Sequence, residues 1–173
     1  MNSKCKVLVV DDIHENIELV ADMLKGLDVE IQKADGGAKA IELVDSFQPN
    51  IILLDLMMPQ VNGWDVIKYV RASYDKSEMA IIVVSLLNNK DNIDECYEMG
   101  VNDYVAKPII PGRIISSVET QMRNVKFAEY EPKAEQHQLK TPPASVVEMD
   151  PAKYTGWIHW NYFWSIALAW SMR

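Results

Sequence analysis

Three aspartates, a serine and a lysine take corresponding places in this chain, each at the end of a short apolar run. Asp11 and Asp12 follow Val7-Leu8-Val9-Val10, and Asp55 follows Ile51-Ile52-Leu53-Leu54. Ser85 follows Ile81-Ile82-Val83-Val84, and Lys107 follows Tyr104-Val105-Ala106. Gathered together, they would offer carboxylate oxygens to a hard cation, and a hydroxyl and an ammonium to phosphoryl oxygens. Magnesium takes octahedral oxygen coordination, keeps several waters, and is commonly held by carboxylates together with phosphate oxygens. On that chemistry Asp12 and Asp55 ligate directly and Asp11 holds a metal-bound water. A carboxylate can also be a nucleophile and form an acyl phosphate. Such a transfer asks little of a protein beyond positioning and charge neutralisation.

Each residue alone has a plainer reading. Asp12 could cap a helix, Asp55 could be a turn residue before Pro59, Ser85 could simply end its strand, and Lys107 could be a surface lysine. The decisive point is position. Short β-branched runs read as strands buried on both faces, the pattern of a parallel sheet. Ligands of open parallel sheets bind beyond the carboxyl ends of the strands, so all five residues are expected at one edge.

Strand-like and helix-like segments alternate five times over the first 125 residues. Strands are expected at 5–10, 29–33, 51–54, 81–84 and 101–106. Helices are expected at 16–27 (Ile17, Val20, Leu24, Leu27) and 38–47 (Ile41, Leu43, Val44, Phe47). Three more follow: one after Gly63 (Val66, Ile67, Val70), one through Cys96 and Met99 after a polar loop at 88–92, and one after Pro111 (Ile114, Ile115, Val118, Met122). Gly100 suits the end of the fourth helix and Pro111 the first turn of the fifth. The expected fold class is α/β: a doubly wound, five-stranded parallel sheet with helices on both faces, flavodoxin-like, plus a non-globular C-terminal tail.

The chain has 173 residues, 49% of them apolar, which is ample for one core and an appendage. Cys5 and Cys96 lie far apart and match no metal or redox spacing, so they are expected to be reduced and buried. No signal peptide is expected, because the first apolar run is four residues long and ends in two aspartates. The expected location is cytoplasmic. The formal charge of −8 falls entirely on residues 1–125, which hold 20 acidic and 12 basic side chains. An acidic domain without a basic stripe argues against direct nucleic-acid binding, where phosphate neutralisation supplies most of the affinity.

The residues resemble the receiver domain of two-component response regulators (the CheY-like family) over about 4–125. The resemblance rests on Val9-Val10-Asp11-Asp12 with Asn16, and on Asp55-Leu56-Met57-Met58-Pro59-Gln60-Val61-Asn62-Gly63. Ser85 and Gly100-Val101-Asn102-Asp103-Tyr104-Val105-Ala106-Lys107-Pro108 complete it. It implies that Asp55 accepts a phosphoryl group from a histidine kinase or phosphotransfer protein. It also implies that Asp11, Asp12, Asp55 and the Met57 backbone carbonyl organise Mg2+, and that the Lys107-Pro108 bond is cis. It further implies a switch: Ser85 moves toward the phosphoryl group, Tyr104 rotates into the vacated space, and the surface at about 91–123 changes its partner preference. That surface comprises the fourth helix, fifth strand and fifth helix. A homodimer through it is a further expectation.

One residue departs from the pattern. The position after the switch hydroxyl is usually small in this family, and here it is Leu86. Leu86 is expected to shield the phosphorylated site and lengthen its lifetime, with Met57 as the second rate-modulating position. Met57 also weighs against an aspartyl-nucleophile phosphohydrolase, which typically has a general-acid aspartate two residues after the nucleophile. The protein is therefore expected to be a phosphoacceptor with slow autodephosphorylation and not a turnover enzyme. A phosphorylation-independent interaction module is the remaining alternative.

The domain reading is a receiver at 1–126, a Pro-containing polar linker at 127–156, and an aromatic-rich segment at 157–173. Between Trp157 and Trp170 stand four tryptophans, a tyrosine and a phenylalanine. The run is too short to span a membrane and lacks the basic face of an interfacial helix. Membrane contact is thus not the favoured reading; a partner- or self-binding anchor is, with an altered reading frame as the alternative. Too few residues follow Val125 for a winged helix or a catalytic output domain. The stretch Val118-Glu119-Thr120-Gln121-Met122-Arg123 looks like receivers that precede cyclase or phosphatase outputs, so a trimmed or a stand-alone regulator is expected.

Overall fold

A computed structural model describes residues 4–125; the linker and the 157–173 segment lie outside the described residues. The elements run β1 (Cys5–Val10), α1 (His14–Met23), β2 (Val29–Ala34), α2 (Gly37–Phe47), β3 (Ile51–Leu54) and α3 (Gly63–Arg71). They continue with β4 (Ala80–Ser85), α4 (Lys90–Glu98), β5 (Asp103–Ala106) and α5 (Pro111–Asn124). All strands are parallel, in the order β2-β1-β3-β4-β5. This is the expected flavodoxin-like α/β architecture.

Strand alternation sorts the side chains into two cores, because successive residues point to opposite faces. Val7, Val9, Ile51, Leu53, Ile82, Val84 and Val105 face Ile17 and Val20 of α1, Leu24 just after it, and Ile114 and Val118 of α5. Leu8, Val10, Ile52, Leu54, Ile81 and Val83 face Ala40 and Val44 of α2, Val66, Ile67 and Val70 of α3, and Cys96 of α4. Each fully buried Val, Leu or Ile among them contributes roughly 1.5–3 kcal/mol. The two covered faces leave only the sheet's ends for polar chemistry. Both thiols are sealed in these cores, and burial pushes Cys5 and Cys96 up to about 11.

Several boundaries differ from the sequence reading. Helix α1 begins at His14 and stops at Met23, and Leu27 lies in the following turn, where its N–H donates to the Leu24 carbonyl at 2.9 Å. The stretch expected as a polar loop at 88–92 is already helical from Lys90, because the Asn89 side chain accepts the Asn92 N–H at 2.9 Å. That cap satisfies a donor that would otherwise face solvent. Strand β5 starts at Asp103, not Val101, since Val101 is tied back to the Cys96 carbonyl at 3.0 Å. Gly100 takes φ +97°, a left-handed conformation that ends α4 and that glycine adopts without penalty.

Candidate functional site

The ladders bring the strand-end residues to one level. The Asp11 N–H donates to Ala34 O at 3.2 Å, the Asp55 N–H to Val10 O at 2.9 Å, and the Lys107 N–H to Ser85 O at 2.8 Å. Each bond extends a strand pair by one residue before the chain turns away. A ligand-donor oxygen from each of Asp11, Asp12 and Asp55 lies within 4.8 Å of the others. Lys107 Nζ donates to Asp11 Oδ2 at 2.7 Å and stands 3.4 Å from Asp55 Oδ1. Ser85 closes β4 beside them, fully buried.

Asp11 is held from several sides. Its Oδ1 accepts the Ile13 N–H at 2.9 Å and the Asn16 amide at 3.0 Å; its Oδ2 accepts Lys107 and the same amide at 3.1 Å. Asp12 is exposed, and α1 is capped by Ile13 with no side-chain bond, so Asp12 is not the helix cap. Lys107 is no surface lysine either, as its side chain is only 12% exposed.

Asp55 is 5% exposed. Burial pushes its carboxyl above the ordinary value; Lys107 opposes that shift and Asp11 adds to it. Distance accounts for the balance. Two unit charges 4 Å apart interact by about 4 kcal/mol at an effective dielectric of about 20, but the ammonium sits closer to Asp11 than to Asp55. Asp55 is therefore the least compensated buried carboxylate of the cluster.

The three carboxylates exceed the single ammonium in charge, and two of them are buried. All the donors are oxygens and one carboxylate is open to solvent. This set fits a hard divalent cation such as magnesium.

The loop carrying Asp55 is clamped from below. Gly63 opens α3 with its N–H on Leu56 O at 3.0 Å, and a Cβ added there would lie 2.3 Å from the Asp55 carbonyl oxygen. Only glycine allows this approach. Asn62 and Asp65 form a reciprocal cap at the same turn, which fixes where the loop ends. Met57 and Leu86, in the loops after β3 and β4, are 61% and 71% exposed. The Lys107-Pro108 peptide is cis.

Tyr104 is turned into the core in this structure, at 7% exposure, with its hydroxyl donating to the Leu87 carbonyl. The Leu87 N–H donates to Ser85 Oγ at 3.4 Å, so one loop residue contacts both. On the face made by α4, β5 and α5, Asp103 accepts Arg113 at 2.7 Å and the Ser117 hydroxyl at 2.6 Å.

The sequence reading did not assign roles to Asn16 or Gly63. Asn16 stands five residues after Asp11, in the first turn of α1, which brings its amide back onto that carboxylate. Gly63 showed only as a helix start and as the end of the segment 55–63. No helix among the described residues is long and apolar enough to cross a membrane.

A model of the response regulator receiver domain family matches residues 7–119. The DNA-binding response regulator MtrA of Mycolicibacterium smegmatis is 32% identical over 120 residues, covering 68% of this chain and 50% of that protein. The two-component response regulator ORR5 of Oryza sativa is 30% identical over 110 residues, covering 62% of this chain and 81% of that protein. The solved receiver domain of a Francisella response regulator superposes with a TM-score of 0.63 at 26% identity, covering 69% of this chain and 98% of that one. The chain spans about half the length of MtrA, and 27% of the "Probable cyclic di-GMP phosphodiesterase" of Vibrio cholerae serotype O1.

Proposed function

The chain belongs to the response regulator receiver domain family of two-component systems, and from that premise we propose that Asp55 is its phosphoacceptor. One observation carries the reading: a buried carboxylate with its pKa raised, beside Lys107 and within 4.8 Å of two further carboxylates. A histidine kinase or phosphotransfer protein would present a phosphohistidine. An Asp55 carboxylate oxygen forms the new P–O bond, the P–N bond to the donor imidazole breaks, and the imidazole keeps that electron pair. Lys107 and the Ser85 hydroxyl receive the phosphoryl oxygens.

Asp12, Asp55 and the Met57 carbonyl are the groups that would hold magnesium, with Asp11 acting through a water. When bound, the ion neutralises charge on the phosphoryl oxygens. Asp11 already has both oxygens committed to Lys107, Asn16 and the Ile13 N–H, which suits a supporting part. The exposed Met57 at the position where an aspartyl hydrolase has its general acid supports slow turnover of the acyl phosphate.

The switch would run through Leu87. Drawing the Ser85 hydroxyl toward a phosphoryl group withdraws the acceptor of the Leu87 N–H, and the Leu87 carbonyl is what holds the Tyr104 hydroxyl. The readout surface is then α4, β5 and α5, through which a second copy would pair; the 157–170 segment is the other place for self-association. MtrA is described as DNA-binding, but the acidic balance of residues 1–125 opposes such a role for this domain. A phosphoryl-accepting domain served by a kinase would work in the cytoplasm.

The test is incubation with magnesium and acetyl phosphate, read by intact mass, with beryllofluoride and gel filtration for assembly. One added phosphate that needs magnesium and disappears in Asp55→Asn supports the assignment. No modification in the parent, or rapid multiple turnover of a phosphate ester, would sink it.

A further inference from the structure

Arg71, the last residue of α3, lies at the end of the sheet opposite the aspartates. Its Nε donates to Gly100 O at 2.9 Å, Nη1 to Met79 O at 2.9 Å and Tyr74 O at 3.2 Å, and Nη2 to Asn102 Oδ1 at 3.0 Å. All of these acceptors are carbonyl oxygens. Asn102 extends the reach: its Oδ1 also accepts the Ile81 N–H at 3.0 Å, and its amide donates to Lys76 O at 3.0 Å and Gln121 Oε1 at 3.4 Å. One guanidinium and one amide thus join α3, the loop before β4, the first residues of β4, the turn after α4, and α5. A Cβ on Gly100 would meet Arg71 Cδ and Nε at 3.0 Å, so the arginine stem lies directly against that turn.

Helix α4 needs such a fixture. Cys96 is its only buried residue, with Ile93 and Met99 partly buried against the same core. Its first residues, Lys90 and Asp91, are exposed and follow the loop that carries Leu86 and Leu87 from Ser85. The C-terminal end is held by Cys96 and, through Gly100, by Arg71. The N-terminal end, before Ile93, is held chiefly by its own cap.

We propose that Arg71 is a hinge pin for α4: it fixes the helix's C-terminal end, so that events at Ser85 and Leu87 swing the N-terminal end about the Gly100 turn. The part concerning events at Ser85 rests on the phosphoacceptor reading of Asp55; the pin itself does not. Arg71 is a positioning residue. Its fork fits several carbonyls at once, which a lysine ammonium on a flexible stem does not reproduce.

Hydrogen exchange on the full chain, comparing parent, Arg71→Met and Arg71→Lys, tests this with and without magnesium and beryllofluoride. Without ligand, the Met99, Gly100 and Val101 amides, bonded to Glu95 O, Tyr97 O and Cys96 O, should exchange about tenfold faster in Arg71→Met. The β1 and β3 amides should change by less than about threefold. With beryllofluoride, the parent's response should stop near residue 93, whereas the variant's should extend over 95–102. Arg71→Lys keeps the charge without the fork and should share the spread; it carries the test if Arg71→Met does not fold.

A uniform rise across β1, β3 and α4 would make Arg71 a general stabiliser and overturn the pin. So would a parent response that already covers 95–102, or variants that keep the parent's pattern. A parent that shows no response to beryllofluoride overturns the phosphoacceptor reading instead, and the ligand-free comparison then decides the pin.

Discussion

The two ends of the central sheet treat charge in opposite ways. At the carboxyl end, three aspartates crowd around one lysine, and Asp55 is buried with its charge incompletely balanced. At the amino end, Arg71 is surrounded by carbonyl oxygens, and burial lowers its pKa to about 10. An uncompensated buried ion costs several kcal/mol even after relaxation. The fold thus satisfies its charge internally at one end, and at the other leaves an excess of negative charge that an external cation would neutralise. The unbalanced aspartates and the internally satisfied arginine are separated by the length of the strands.

The contrast should show most strongly in magnesium's effect on stability. Saturating the parent at about 100 times its dissociation constant should add about 2.7 kcal/mol to unfolding, read by urea titration. Asp12→Asn should remove most of that increment while leaving the ligand-free protein nearly unchanged, because Asp12 is exposed. Equal increments in both proteins would mean that the cation binds elsewhere.

Gly63→Ala comes next, since the added methyl would collide with the Asp55 backbone at 2.3 Å. It should cost about 2 kcal/mol, in the range of overpacking, and should reduce phosphorylation at Asp55 together with stability. A stable variant with normal phosphorylation would show that the loop yields at no cost.

A smaller effect follows from the raised pKa of Asp55. Ionising a group whose folded-state pKa exceeds its unfolded value opposes folding. The opposition is absent below the unfolded pKa, sets in as pH rises through the window up to the folded pKa, and is full above it. Asp55→Asn should therefore stabilise the ligand-free protein at neutral pH, because burial, with Asp11 adding to it, opposes the Asp55 charge. That gain should fade on acidification. A gain of the same size at all pH values would point to packing instead.

Leu86 should give the smallest effect, one of rate. It is 71% exposed beside the site, so Leu86→Ala should speed dephosphorylation a few-fold without altering stability. An unchanged or slower rate would remove its shielding part.

Much of this was legible in the sequence because burial on both faces leaves an unmistakable mark. The runs at 7–10, 51–54 and 81–84 read as interior strands, and the polar residues ending them were therefore expected at one edge. Helix α4 was read late because its first turn, Lys90-Asp91-Asn92, is polar throughout and is started by a cap instead of an apolar stripe. Arg71 gave no hint at all. A single arginine at a helix end usually reaches solvent, and its acceptors are backbone carbonyls, which no side-chain pattern records. Gly63 was visible as punctuation but not as a contact, since close approach depends on a partner eight residues away. Tyr104 was read as a rotating side chain, and its inward position depends on the path of a loop carbonyl.

Cys5 and Cys96 are the only sulfhydryls in the chain, and both are buried and held out of the reactive thiolate form at neutral pH. A cysteine introduced on the exposed side of α4 or in the loop at Leu86 would therefore be the one position open to a maleimide dye or nitroxide. Spectroscopic distances could then be collected from the otherwise native polypeptide, with neither natural cysteine replaced.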